Sequence, residues 1–171
     1  FVGITDRADT YRSDLRKGVA WDVNYLGQIT GRELKFGLGF LYQGSAYKNT
    51  HDTGADKIYM HYMAPQVALT MVQKHYQLQF SGGIGYQLYR DKSTVYDKPR
   101  KVTMSKFAGN LSLSGEYFLS SHWGASARVN WLASSSESYS VKYHNVEWDV
   151  ESPRAGSGYF GQLSLLFGLN Y

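Results

Sequence analysis

Histidine occupies positions 51, 61, 75, 122 and 144, and it is the side chain best suited to moving protons or holding a metal near neutral pH. No two of these are spaced i, i+2 or i, i+4, so a metal site would need convergence of distant segments. There is no cysteine, which removes thiolate metal sites, nucleophilic thiols and disulfides together. The stretch GGIGYQ at 82–87 has the glycine content of a phosphate-cradling loop, but no helix-forming segment follows to complete one. Two pairs of opposite charges flank tight links: Glu116 and Arg128 about Ser121, and Asp22 and Lys35 about 28–31.

The elements that must position these residues show a period of two. Trp21, Val23 and Tyr25 alternate with Asp22 and Asn24; Leu34, Phe36, Leu38, Phe40 and Tyr42 alternate with Lys35, Gly37 and Gly39. The same holds for Met63, Pro65, Val67, Leu69 and Met71, and for Tyr76, Leu78, Phe80, Gly82, Ile84, Tyr86 and Leu88. It recurs in Leu111, Leu113 and Tyr117, in Trp123, Ala125, Ala127, Val129 and Trp131, and in Tyr159, Leu163, Leu165, Phe167, Leu169 and Tyr171. Alternation at period two marks strands whose two faces meet different media. GGIGYQ falls inside one of them, where glycine allows curvature and close backbone approach.

Short links near 27–32, 72–75 and 119–123 alternate with longer polar ones at 6–17, 44–56, 91–100 and 135–156. That is the rhythm of a meander with turns at one end and loops at the other. Seven strands are explicit, and FVGIT at the chain start supplies an eighth, short one. The expectation is a single all-β domain over 1–171, an eight-stranded antiparallel up-and-down barrel with its first strand truncated at Phe1. The chain starts on Phe and shows no basic-then-apolar leader, so it reads as a processed or truncated form. No apolar run approaches the roughly 18 residues of a membrane helix, and the net charge of +4 is too scattered to argue for nucleic acid.

Which face is the core decides the class. With the apolar face inward, the outside would be Gly, Ser, Gln and Asn with few charges, unlike a soluble surface. With it outward, the apolar rows have the roughly 9–11 residues of a tilted membrane-crossing strand. Aromatic rings then fall at both row ends: Tyr25, Tyr76, Tyr117, Trp123 and Tyr171 at the turn end, Tyr42, Tyr59, Trp131 and Tyr159 at the loop end. Two interfacial girdles are expected of a transmembrane barrel.

On these strands, and on the terminal aromatic Tyr171, the chain resembles the bacterial outer membrane β-barrel family, with the architecture of its small OmpA-type and OmpX-type members. The resemblance implies an integral bacterial outer membrane location, and a terminal aromatic that is part of the insertion signal. Some small outer membrane barrels are lipid A acylases or deacylases with a His and a Ser or acid at the outer-leaflet boundary. His61 is the one histidine expected to face lipid there, with Phe40 and Tyr86 as expected cross-strand neighbours, and no His-x-Ser occurs in the chain. The chain is therefore expected not to be an enzyme and to carry neither metal nor other cofactor.

The inward charges must be paired, because an unpaired charge in a narrow lumen costs several kcal/mol. Asp22, Lys35, Glu116 and Arg128 are expected to form salt bridges within each hairpin, sealing the lumen. In SYSVKYHNVEWDV, Tyr139, Val141 and Tyr143 face Val146, Trp148 and Val150 about a turn at 144–145, so the last long link holds a hairpin. Its Tyr139, Tyr143 and Trp148 make it the expected partner-binding element. The function this favours is an accessory outer membrane barrel that binds a partner protein through extracellular loops or its lipid-facing wall. The alternatives are a lipid-modifying enzyme or a narrow channel.

Overall fold

The computed structural model describes residues 1–9, 16–30, 34–51, 54–95, 98–136, 138–143, 146–151 and 158–170. Its strands are β1 (Val2–Asp9), β2 (Lys17–Thr30), β3 (Leu34–His51), β4 (Gly54–Val72) and β5 (Tyr76–Val95), followed by β6 (Lys98–Phe118), β7 (Gly124–Ser136), β8 (Ser138–Tyr143), β9 (Val146–Glu151) and β10 (Gly158–Asn170). All pairings are antiparallel. β1 to β7 pair in chain order, β7 pairs with β10, and β10 returns to β1, which closes an eight-stranded ring. β8 and β9 form a hairpin outside the ring, with β8 paired to the loop-end part of β6.

The barrel is inside-out. Val67, Leu111, Leu113, Leu163, Phe167 and Leu169 project outward and are exposed, while Gln66, Asn110, Ser112, Asn130, Gln162 and Ser164 are buried in the interior. Closing eight strands leaves an interior just wide enough for side chains, and small polar residues fill it.

Two expected links are largely strand, and a third is strand over its first residues. β1 runs on to Asp9, β3 and β4 fill most of 44–56 and stay paired out to His51 and Gly54, and β5 and β6 fill most of 91–100 and stay paired out to Val95 and Lys98. The reason is buried side chains beyond the membrane-spanning length: Arg7, Tyr47, Ile58, Tyr89 and Val102 all face the interior there. Strands β3 to β6 are 18, 19, 20 and 21 residues long. That is about twice what a tilted strand needs to cross a bilayer, so one side of the barrel stands well above the membrane.

GGIGYQ sits mid-strand in β5, opposite the ladder gap at Pro65: Met63 pairs with Tyr86 and Val67 with Gly82, with no pairs between. Proline cannot donate to the ladder. A Cβ at Gly83 would collide with the Pro65 carbonyl oxygen, and one at Gly85 with that of Met63. Glycine is there because β4 and β5 touch backbone to backbone.

Candidate functional site

The lumen holds three layers. At the turn end, Arg128 on β7 donates from Nη1 to Asp22 Oδ2 on β2 at 3.0 Å, both side chains buried. The Phe1 ring lies 4.1 Å from the guanidinium carbon. This differs from the expected hairpin pairing. Arg128 stands opposite Ser114 and Glu116 opposite Ser126, and Glu116 accepts a short hydrogen bond from Gln77 Nε2. Asp22 stands opposite Gln43, so Lys35 lies far along β3 from it, beside Thr70. Glu116 and Arg128 are diagonal neighbours on the inward face of β6 and β7, but the guanidinium reaches across the interior to Asp22.

The middle layer is a neutral chain of hydrogen bonds. Gln66 Nε2 donates to Asn110 Oδ1 at 2.8 Å, Asn110 Nδ2 to Asn130 Oδ1 at 3.1 Å, and Asn130 Nδ2 to Gln43 Oε1. Gln43 Nε2 donates to Ser164 Oγ at 3.2 Å, and Ser164 Oγ to Thr5 Oγ1 at 2.9 Å. Tyr62 joins by donating to Asn110 Oδ1 at 3.1 Å. The chain touches β4, β6, β7, β3, β10 and β1, and buried amides satisfy one another without a charge to desolvate.

The third layer, at the loop end, is apolar. Tyr47, Ile58, Met60, Tyr89, Met104 and Phe160 form a buried cluster inside the barrel. Two cations stack on it: the Arg7 guanidinium carbon lies 4.9 Å from the Tyr47 centroid, and Lys106 Nζ 4.0 Å from that of Phe160. Sequence reading missed this plug. In IYMHYM at 58–63 both faces are apolar or aromatic, so the alternation that marks the interior elsewhere is masked.

On the outer wall, Tyr25, Tyr76, Tyr117 and Trp123 are exposed at the turn end, and Tyr59 and Trp131 toward the loop end. Tyr42 is half-buried. The side chains of Tyr139, Tyr143, Trp148 and Tyr159 lie outside the described residues, as do Tyr171, Glu33, the turn at 144–145 and the whole of 152–157. The backbone register of the hairpin is Tyr139 to Val150, Val141 to Trp148 and Tyr143 to Val146.

Two histidines have hydrogen-bonded partners that bear on catalysis. His61 stands opposite Gly44 and Leu88, not Phe40 and Tyr86. Its Nδ1 is 2.8 Å from the Tyr42 hydroxyl, a diagonal neighbour, with the rings stacked at 6.0 Å. His122 Nδ1 is 2.8 Å from Ser121 Oγ in an exposed turn. That turn borders a cavity of about 660 Å³ at the turn-end mouth, also lined by Asp22, Glu116 and Arg128. Among the described residues, no group of three His, Asp or Glu is placed to hold a metal.

No family model matches the sequence, and no curated protein does. Among solved structures the chain is similar to the outer membrane protease OmpT from Escherichia coli, with a TM-score of 0.56 and 14% identity over 92% of this chain. The chain spans 64% of the length of that structure. The similar barrel being a protease overturns the expectation that this chain is not an enzyme, since a barrel of this fold carries catalysis. At this identity the likeness speaks to fold alone: the chain has the fold of a small bacterial outer membrane β-barrel.

Proposed function

We propose that the chain is an integral protein of the bacterial outer membrane whose tall side, made by β3 to β6 and extended by the β8–β9 hairpin, docks a partner protein outside the bilayer. The observation that carries this reading is the hairpin itself. It adds two strands to β6 beyond the rim, and among the described residues β9 pairs on one side only. A strand edge left open invites an added strand, whose main-chain hydrogen bonds give affinity. The three layers that block the lumen argue against solute passage as the main role. The test replaces 139–150 by a short Gly/Ser loop. Barrel folding, followed by heat-modifiable gel mobility, should survive, and partner recovery from native membranes in mild detergent should drop. Undiminished recovery would remove the hairpin from the interface.

A catalytic reading stands beside it, supported by the similarity to OmpT and by the Tyr42–His61 and Ser121–His122 pairs. Histidine hydrogen-bonded to a hydroxyl is the unit of base-activated nucleophilic catalysis. Hydrolysis of a peptide library or of lipid esters, lost in H61A or H122A and retained in the hairpin replacement, would favour this reading. Equal background rates in all variants would reject it.

A further inference from the structure

The strand that the hairpin pairs with fixes its two faces. Val102, fully buried in the interior, stands opposite Val141, and Val141 opposite Trp148. Lys101, exposed on the outer wall, stands opposite Lys142, and Lys142 opposite Glu147. Successive residues of a strand take opposite faces. Val146, Trp148 and Val150 of β9 therefore lie on the face of the sheet that Val102 occupies, and Glu147, Asp149 and Glu151 on the face of Lys101.

The hairpin does not balance this acidic face. Glu147 stands opposite Lys142, but Asp149 stands opposite Ser140 and Glu151 opposite Ser138. β8 thus offers one cation for three carboxylates. On its other side β9 has no neighbouring strand among the described residues. The wall beside the hairpin has the opposite sign: Lys57, Lys92 and Lys101 stand in one exposed cross-strand row that runs on to Lys142. The sign changes only at the last strand.

Opposite charges directly across a strand pair stabilise it, and like charges weaken it. A second copy adding its own β9 antiparallel would set acids against acids in every register that matches the faces. The edge therefore disfavours self-pairing. A cationic strand is repelled by the lysine row and drawn to the edge alone.

We infer that β9 selects a partner strand of its own length, 6 residues, in which Lys or Arg alternates with apolar residues. The cations take the positions beside Asp149 and Glu151, and the apolar residues extend the row of Val146, Trp148 and Val150. Main-chain hydrogen bonds give such an added strand its affinity, and the alternate positions give it specificity. This rests on the hairpin being the docking element and adds the chemistry that it takes.

The experiment uses the full chain refolded in maltoside micelles, with folding checked by heat-modifiable mobility. The probes are three labelled peptides of equal length in which Val and Trp alternate with Lys, with Ser or with Glu. Binding is read by fluorescence anisotropy. Wild type should hold the Lys peptide on the order of ten-fold more tightly than the Ser peptide, with the Glu peptide weakest, and added salt should shrink the spread. D149N/E151Q should bind the Lys and Ser peptides alike, and D149K/E151K should prefer the Glu peptide. Both variants leave Glu147 opposite Lys142. Equal binding of the Lys and Glu peptides by wild type, or binding of none, would overturn the inference. So would a Lys preference that survives replacement of 139–150. Partner recovery from native membranes separates this from the docking reading. Recovery lost in the hairpin replacement but undiminished in D149K/E151K would leave docking standing and remove the charge selection. Recovery undiminished in both would remove the docking reading, and with it the inference.

Discussion

Arg128 and Asp22 meet across the lumen at 3.0 Å, joining β7 to β2, strands that are not neighbours in the ring. Both are buried, so removing Asp22 leaves Arg128 as a lone charge in a narrow interior, while Asp22 also lies 3.9 Å from the Phe1 ammonium. D22N or R128M alone is expected to cost about 3–5 kcal/mol. The double variant D22N/R128M should be clearly less destabilised than the sum, with a coupling on the order of 1–3 kcal/mol. E116Q/R128M, a diagonal pair on neighbouring strands with no ion pair between them among the described residues, should show a smaller coupling than D22N/R128M. Urea unfolding in micelles or vesicles, followed by gel mobility, reads all of these. Additive D22N and R128M effects would rule the pair out as a unit.

The outer wall makes a depth prediction. Val67, Leu111 and Leu165 are exposed mid-strand on the outward face. Arginine at each should cost about 2–4 kcal/mol where it lies near the bilayer midplane, falling toward the interfaces. Spin labels at Leu111 and Leu165 should report a lipid environment, with broadening by lipid-soluble oxygen. A packed, oxygen-shielded signal would contradict the inside-out barrel.

Close backbone approach separates glycines that look alike in sequence. Gly83→Ala and Gly85→Ala place a methyl against the Pro65 and Met63 carbonyl oxygens, whereas at Gly109 a Cβ would come no nearer than 3.9 Å to the Gly83 carbonyl oxygen. The first two should each destabilise by about 1–3 kcal/mol through overpacking, and Gly109→Ala should fold as wild type. Equal folding yields for all three would refute the backbone contact.

The loop-end plug predicts a graded loss. Phe160 is 2% exposed and stacks edge-on with Tyr89 at a centroid distance of 5.6 Å. F160A should cost about 3–5 kcal/mol, as for other buried aromatic truncations. It should also expose Arg7 and Lys106, which rest on that ring. Wild type in planar bilayers should show no discrete conductance, and F160A should raise the baseline leak. A steady wild-type channel would mean that the three layers do not seal.

What the sequence by itself determined is the medium on each side of the wall. Period-two alternation is a property of each strand alone. Leu163, Leu165 and Phe167 point to lipid and Gln162 and Ser164 to the interior whatever the neighbours are, because successive side chains of a strand take opposite faces. The hairpin register of Tyr139 to Val150 was equally local, since a turn between two alternating runs sets it. Partners were decided only by the tertiary structure. Ring closure and strand tilt carry Arg128 to Asp22, although chain proximity favoured Glu116. The β3–β4 register puts His61 diagonal to Tyr42. Where both faces are apolar, as at Ile58 to Tyr62, alternation carries no sign, and only closure of the ring shows that Ile58, Met60 and Tyr62 face inward. Facing follows from backbone geometry residue by residue, whereas register and cross-lumen contact depend on how all the strands are sheared against one another.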